Sequence, residues 1–212
     1  MPGVKAKAPA EEENIVRDTL LRLEKEDETP ALPDCSHEEL QQCMTQLWVQ
    51  HPGLKRHTFK TRVLSLPLPH FEEWLSEEGL HLPPSEPSGG PPSEATEREE
   101  ALLQLRKDME DAIVALDGHV FPKLNYSAPL DAVWMALDNT LKCQSADDVF
   151  ILLKSSDRLQ HDLQVLRRLQ EPPQLILKKY YELNRSMEFR CFVRAKQLVG
   201  TAFMHSSIKD KQ

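Results

Sequence analysis

The chain has 212 residues, enough to bury a core in one domain or two small ones. Its formal charge of −8 denies it the cationic footprint of a nucleic-acid binder, and no run reaches the roughly 18 apolar residues of a membrane span. Four cysteines, Cys35, Cys43, Cys143 and Cys191, are scattered without a C-x-x-C pair, which argues against a disulfide framework and against zinc. The charge is uneven. Residues 71–100 hold nine acidic side chains against one base, Arg98, whereas residues 151–212 hold twelve Lys/Arg against six Asp/Glu. A polar linker followed by a lobe that meets an anion would show this pattern, and so would two solvated faces.

In chain order, residues 1–13 are Ala/Lys/Pro/Glu-rich and read as disordered, and residues 14–25 as a short amphipathic helix with Val16, Leu20 and Leu23 on one face. Ser36 and Glu39 form an S-x-x-E capping box. Behind it Leu40, Cys43, Met44, Leu47 and Trp48 follow helical spacing, and His51-Pro52-Gly53 predicts the stop. Residues 59–66 alternate as a strand, and a short helix carries Phe71, Trp74 and Leu75. Residues 81–93, with five prolines and Gly89-Gly90, read as a flexible linker that packs nowhere.

Thr96 and Glu99 offer a second capping box, opening a helix with Leu102, Leu105, Met109, Ala112, Ile113 and Leu116 on one side and Gly118 at its end. A brief extended segment ends at Phe121-Pro122, and a helix from Pro129 points Val133, Ala136 and Leu137 inward. Val149–Leu153 reads as a buried strand, followed by a helix through Leu159, Leu163, Leu166 and Leu169. Residues 174–182, 187–194 and 197–204 read as strands, the last two joined by a tight turn at Ala195-Lys196, with Cys191 as a small buried hydrophobe. The class is α+β.

Several groups carry candidate chemistry. Lys123 lies close to Asn125 and Ser127, and Lys178, Lys179, Tyr180 and Tyr181 are adjacent, so that Lys178 and Tyr180 share one strand face and Lys179 and Tyr181 the other. Glu188, Arg190, Phe192 and Arg194 fall on one face of their strand, as either a cleft wall for a polyphosphate or a cross-strand ion-pair ladder. Asp157 reads first as a helix cap. The histidines lack H-x-x-x-H spacing, and neither Walker A nor G-x-S-x-G occurs.

Three ordered blocks give a resemblance: Phe121-Pro-Lys-Leu-Asn-Tyr-Ser-Ala-Pro129, Lys154-Ser-Ser-Asp157 and Met187-Glu-Phe-Arg-Cys-Phe-Val193. Together they resemble the cell division cycle protein 123 family, from about Leu47 to Gly200. The resemblance implies an ATP-grasp-like, two-lobe α+β fold with an incomplete C-terminal lobe, and a protein that helps assemble eukaryotic translation initiation factor 2. It implies ATP as ligand, with Lys123 on a phosphate and Asn125, Tyr126, Ala128, Ser156, Asp157, Lys178, Lys179, Tyr180, Tyr181, Glu188 and Arg190 around it. The family pattern at the third strand is Arg-Lys-Trp-Cys, so Lys178, Tyr180 and Tyr181 depart from it; lysine keeps the charge of arginine but not its bidentate fork.

Magnesium is expected for the family, held by a later Asp and an Ile-Asp-Phe-Asn-Pro-like segment. This chain diverges at about Thr201, and after Glu188 its only acidic side chain is Asp210, so no metal ligand and no turnover are expected of it. The expected partner is the γ subunit of the initiation factor. A cytoplasmic monomer without direct nucleic-acid or membrane contact is expected. The layout is an extension over 1–35, part of an N-terminal lobe over 36–80, a linker over 81–95, a core over 96–205 and a divergent tail. A partner-binding module that needs no nucleotide, or a non-functional truncated isoform, is the alternative reading.

Overall fold

The computed structural model describes residues 36–86, 94–184 and 187–203. The helix expected over 14–25 and the tail over 206–212 lie outside these residues. The chain falls into two compact units, Met1–Leu40 and Gln41–Gln212, and the description below concerns the second unless stated.

Helix α1 (His37–Cys43) opens in the first unit with the expected capping box. The Glu39 N–H donates to Ser36 Oγ at 3.2 Å, and the Ser36 N–H donates to the Glu39 carboxylate at 2.9 Å. The helix does not run on to residue 50. Met44 turns extended (ψ 118°), the Thr45 N–H donates to the Asn125 carbonyl at 2.6 Å, and a separate short helix α2 (Thr45–Trp48) follows. A tertiary acceptor thus replaces the helical one. The buried side chains become Met44, Thr45 and Gln46, while Cys43 and Leu47 of the expected stripe are exposed. At His51 the chain both stops and restarts: its Nδ1 accepts from the Gly53 N–H, and Pro52 sits in the first turn of α3 (Pro52–Lys55).

Three strands form the central sheet in the order β1–β3–β2, all antiparallel: β1 (Thr61–Ser65), β2 (Val120–Lys123) and β3 (Gln174–Lys179). The register pairs Leu64 with Leu175 and Phe121 with Lys178. The middle strand is buried from Leu175 to Lys178, as a strand covered on both faces must be. Leu175 and Leu177 enter the main core; alternation turns Ile176 and Lys178 to the opposite face.

The core is built from four helices. Helix α4 (His70–Ser76) contributes Phe71, Trp74 and Leu75, as expected. Helix α5 (Glu94–Ala115) buries its expected stripe, Leu102, Leu105, Met109, Ala112 and Ile113, with Leu116 just beyond. Burying each of its leucine, isoleucine and methionine side chains contributes about 1.5–3 kcal/mol before entropy is subtracted. Its start differs from expectation: the helix is already running at Glu94, two residues before the expected cap position. Its end is a Schellman motif. The Gly118 N–H donates to the Ile113 carbonyl and the Asp117 N–H to that of Val114, with Asp117 itself at φ +67°.

Val149–Leu153 is helix, not strand. It belongs to α6 (Ala146–Lys154), where Ser145 Oγ accepts from the Asp148 N–H and the Asp148 carboxylate accepts from the Ser145 N–H. An unbroken apolar run fits either state by periodicity; the reciprocal cap decides it. Helix α7 (Asp157–Arg168) buries Leu159, Leu163 and Leu166. The segment after Pro129 is a 3₁₀ turn (Leu130–Met135) with only Ala132 fully buried and Leu137 in solvent, against the expected inward helix face. Asp131 fixes it by accepting from the Ser156 hydroxyl at 2.6 Å and from the Arg158 N–H at 3.0 Å.

The start of the expected linker does pack. The buried Arg106 guanidinium donates to the Pro83 and Pro84 carbonyls at 2.6 and 3.0 Å and pairs with Asp147 at 2.6 Å. Trp74 Nε1 donates to the His81 carbonyl. Residues 87–93 lie outside the described residues. Strands β4 (Phe189–Arg194) and β5 (Gln197–Phe203) make a separate two-stranded sheet, joined at Ala195-Lys196 as expected, with both turn residues at positive φ. Every residue of β4 is exposed, so Cys191 is not the buried hydrophobe its alternation suggested; among the described residues nothing covers its face.

Candidate functional site

Lys123 ends β2 and Lys178 lies near the end of β3, both on the sheet face opposite the main core. Lys178 is only 8% exposed. Its Nζ sits over three rings, 4.9 Å from Trp48, 5.7 Å from Phe59 and 5.9 Å from Phe121. Helix α2 delivers Trp48, the approach to β1 delivers Phe59, and register delivers Phe121. Tyr181 extends the aromatic wall by packing on Phe59 with ring centroids 4.8 Å apart. Lys123 Nζ reaches Thr45 Oγ1 at 3.4 Å, a long contact for so strong a donor.

Burial holds the pKa of both lysines below the usual lysine range, and the Lys123 charge lowers that of Lys178 further. Among the described residues neither ammonium forms an ion pair. Two desolvated cations with no counter-charge make a site for an anion, and rings beside them suit a flat base.

Other expected site residues are placed elsewhere. Lys179 points to the opposite side of β3, where it pairs with Asp117; Lys60 Nζ stands 3.7 Å from the same carboxylate oxygen. Tyr180 donates its N–H to the His119 carbonyl, and Lys142 Nζ faces its ring at 5.8 Å. Asn125 is fully buried and clamps backbone: its amide donates to the Pro172 carbonyl at 3.0 Å and its oxygen accepts from the Gln174 N–H at 2.7 Å. The Tyr126 and Ser127 hydroxyls face Asp162. Burial and the Asp162 charge push the Tyr126 pKa up to about 12, and burial also raises that of Asp162. Ala128 uses its carbonyl on the Leu130 N–H.

Ser156, not Asp157, is the N-cap of α7, its hydroxyl accepting from the Leu159 N–H; Asp157 is the first helical residue and exposed. Lys154 donates to the Trp74 and Leu75 carbonyls at the end of α4. Glu188 and Arg190 belong to the separate hairpin segment. The structure therefore brings Lys123 and Lys178 to one sheet face and gives Asn125, Ser156 and Lys154 work in the fold, while Tyr181 packs on Phe59 and faces Lys179, whose Nζ lies 5.2 Å from its ring. Trp48, Phe59 and Thr45 were missed by sequence reasoning. Their only signal is the β1–β3 register, which depends on pairing residues more than a hundred positions apart.

The residues present fit a polyphosphate through the two ammonium groups. They do not fit a metal: among the described residues no three His, Cys, Asp or Glu side chains cluster to hold one. Among those residues, too, no helix is long and apolar enough to cross a membrane.

Residues 48–205 match the D123 family. The chain is 35% identical over 203 residues to the cell division cycle protein 123 of Yarrowia lipolytica, covering 88% of this chain and 54% of that protein. It is 35% identical over 186 residues to the translation initiation factor eIF2 assembly protein of Sclerotinia sclerotiorum, covering 74% and 45%. Among solved structures it resembles Cdc123 from Schizosaccharomyces pombe with a TM-score of 0.63 and 28% identity, over 80% of this chain and 65% of that one. The chain spans about half the length of the curated relatives it matches. With a match through most of its sequence and a mixed α+β fold shared with a solved Cdc123, this chain belongs to the D123 family of cell division cycle protein 123.

Proposed function

We propose that this chain binds ATP on the Lys123–Lys178 face and serves the assembly of eukaryotic translation initiation factor 2, with the γ subunit as its direct partner. Buried Lys178 and half-buried Lys123, neither in an ion pair among the described residues, carry the nucleotide part of this reading. The assembly part rests on relatives named as eIF2 assembly proteins. The fold is read as ATP-grasp-like with two lobes, and the protein as a cytoplasmic monomer that does not turn ATP over. Magnesium, expected for the family, finds no carboxylate cluster among the described residues, and no step is assigned to it.

The lysines do the binding. Phosphate oxygens replace the water that burial has already removed, so each charge-assisted contact contributes about 1.5–3 kcal/mol. Trp48, Phe59 and Phe121 hold Lys178 in place, and the wall they share with Tyr181 offers a stacking surface for adenine.

The partner assignment is tested by presenting the purified chain to immobilised γ, α and β subunits separately. Retention by γ alone is expected. A folded chain retained by none, or equally by all three, would overturn it. A second reading is favoured by Asn125 and Ser156 being committed to the fold: partner binding without nucleotide. Undiminished γ binding by a Lys123→Ala, Lys178→Met double variant would select that reading.

A further inference from the structure

Residues 123–127 form a junction between the parts of the candidate site. They begin at the end of β2, which carries Lys123. The Asn125 carbonyl accepts from the Thr45 N–H at 2.6 Å and so seats α2, which delivers Thr45 and Trp48. The Asn125 side chain grips the Pro172 carbonyl and the Gln174 N–H at the entry to β3, which carries Lys178. The Leu124 N–H closes the segment on itself by donating to the Ser127 carbonyl at 2.8 Å. All of these contacts are neutral. An ionisable group holds the junction as well: Asp162 of α7, only 4% exposed, faces the Tyr126 and Ser127 hydroxyls. Its Oδ2 is buried with no hydrogen-bond partner among the described residues.

We propose that Asp162 is the positioning residue of this junction, holding residues 123–127 against α7 more firmly when its carboxyl is neutral than when it is ionised. Its effect on ligand affinity rests on reading the Lys123–Lys178 face as a polyphosphate site; its hold on the junction does not. Burial sets the direction. An anion with one bare oxygen loses solvation that it does not recover. The Ser127 and Tyr126 hydroxyls, and then His161 and Arg158 on α7 itself, favour the anion, but burial outweighs them. Arg168 acts on Tyr126 beside it. A neutral carboxyl keeps an acceptor oxygen and gains a donor for the two hydroxyls, without the cost of a buried charge. Ionised, the side chain gains by turning toward water, and the junction then loses its hold on α7. Because α2 and the start of β3 are both bonded to Asn125, that loosening reaches Lys123, Trp48 and Lys178 together.

The test uses the full chain. Native-state hydrogen exchange at the Thr45, Leu124 and Gln174 amides, followed by NMR from acidic to neutral pH, reads the junction directly. Beyond the ordinary base catalysis of exchange, opening at these amides should increase about three- to tenfold as Asp162 ionises. Asp162→Asn, which keeps the neutral shape, should show no such step. Calorimetry with inorganic triphosphate should find affinity weakened at least about twofold over the same range in the parent relative to the variant, a ratio from which the ligand's own titration cancels. Should Asp162→Asn disturb folding, the parent alone decides: the Asp162 carboxyl carbon and the three amide shifts must titrate with one midpoint. Different midpoints, or an equal exchange step in parent and variant, overturn the proposal. So does an affinity whose pH dependence is the same in both proteins. A parent that binds no triphosphate at any pH strikes down the polyphosphate reading instead, and the exchange step then decides the junction by itself.

Discussion

The two sheets of this chain contrast in what surrounds them. In the β1–β3–β2 sheet even a lysine is driven under cover, Lys178 being held within three rings. In the β4–β5 sheet even phenylalanines stand in solvent. The strand pattern in sequence is similar, so alternation specifies a strand without specifying what covers it. Cover is supplied by helices, and the buried side chains of α4, α5, α6 and α7 lie in the core beneath the first sheet.

The contrast is broken most severely by truncating the covered side. Trp74 is 2% exposed and packs on Phe71 and Phe150, so Trp74→Ala should cost about 3–5 kcal/mol, while Phe192→Ala should stay within about 0.5 kcal/mol. Denaturant melts of the two variants check this; similar losses would mean that the hairpin is also covered.

A middle-sized effect of opposite sign is expected at Lys178. Replacing a buried, unpaired ammonium by an isosteric apolar chain, Lys178→Met, should raise stability by about 0.5–2 kcal/mol. The sign in pH follows from its lowered pKa. Between that value and the ordinary lysine range the unfolded chain binds more protons, so stability rises with pH there, and the variant should flatten the rise. Urea melts from neutral to alkaline pH measure it.

Asp162 should behave in the mirror sense. Its carboxyl is raised by burial, so between the ordinary carboxylate range and the raised value the folded chain binds more protons and stability falls as pH rises. Asp162→Asn should remove that fall in melts over the acidic range. An unchanged slope would assign it to another group.

The smallest effect is expected at Asp117, which joins the left-handed helix end to an exposed lysine pair. Asp117→Gly relieves the strain of a left-handed residue and loses two solvent-screened ion pairs, opposing effects that are both small, so its melt should lie close to the parent's.

What could be read from the sequence follows the reach of the interactions involved. The α5 stripe, the Ser36–Glu39 cap and the Ala195-Lys196 turn are local patterns, and each is found. Helix α6 was misread because Val149–Leu153 has no period, and the cap that settles it uses aspartate at the third position. The first helix breaks because Asn125, eighty residues away, captures the Thr45 N–H, which no local window contains. The site shows the same split. Lys123 stands out in its own block, but the aromatic frame of Lys178 is assembled from Trp48, Phe59 and Phe121 only when the strands pair.

The central claim is that the Lys123–Lys178 face binds the polyphosphate of ATP. Titration calorimetry with ATP and with inorganic triphosphate, on the parent chain and on Lys123→Ala and Lys178→Met, tests it most directly. Each substitution should weaken both ligands about ten- to a hundredfold while the folded state persists. Undiminished affinity in either variant, or no binding of either ligand by the parent, would contradict it.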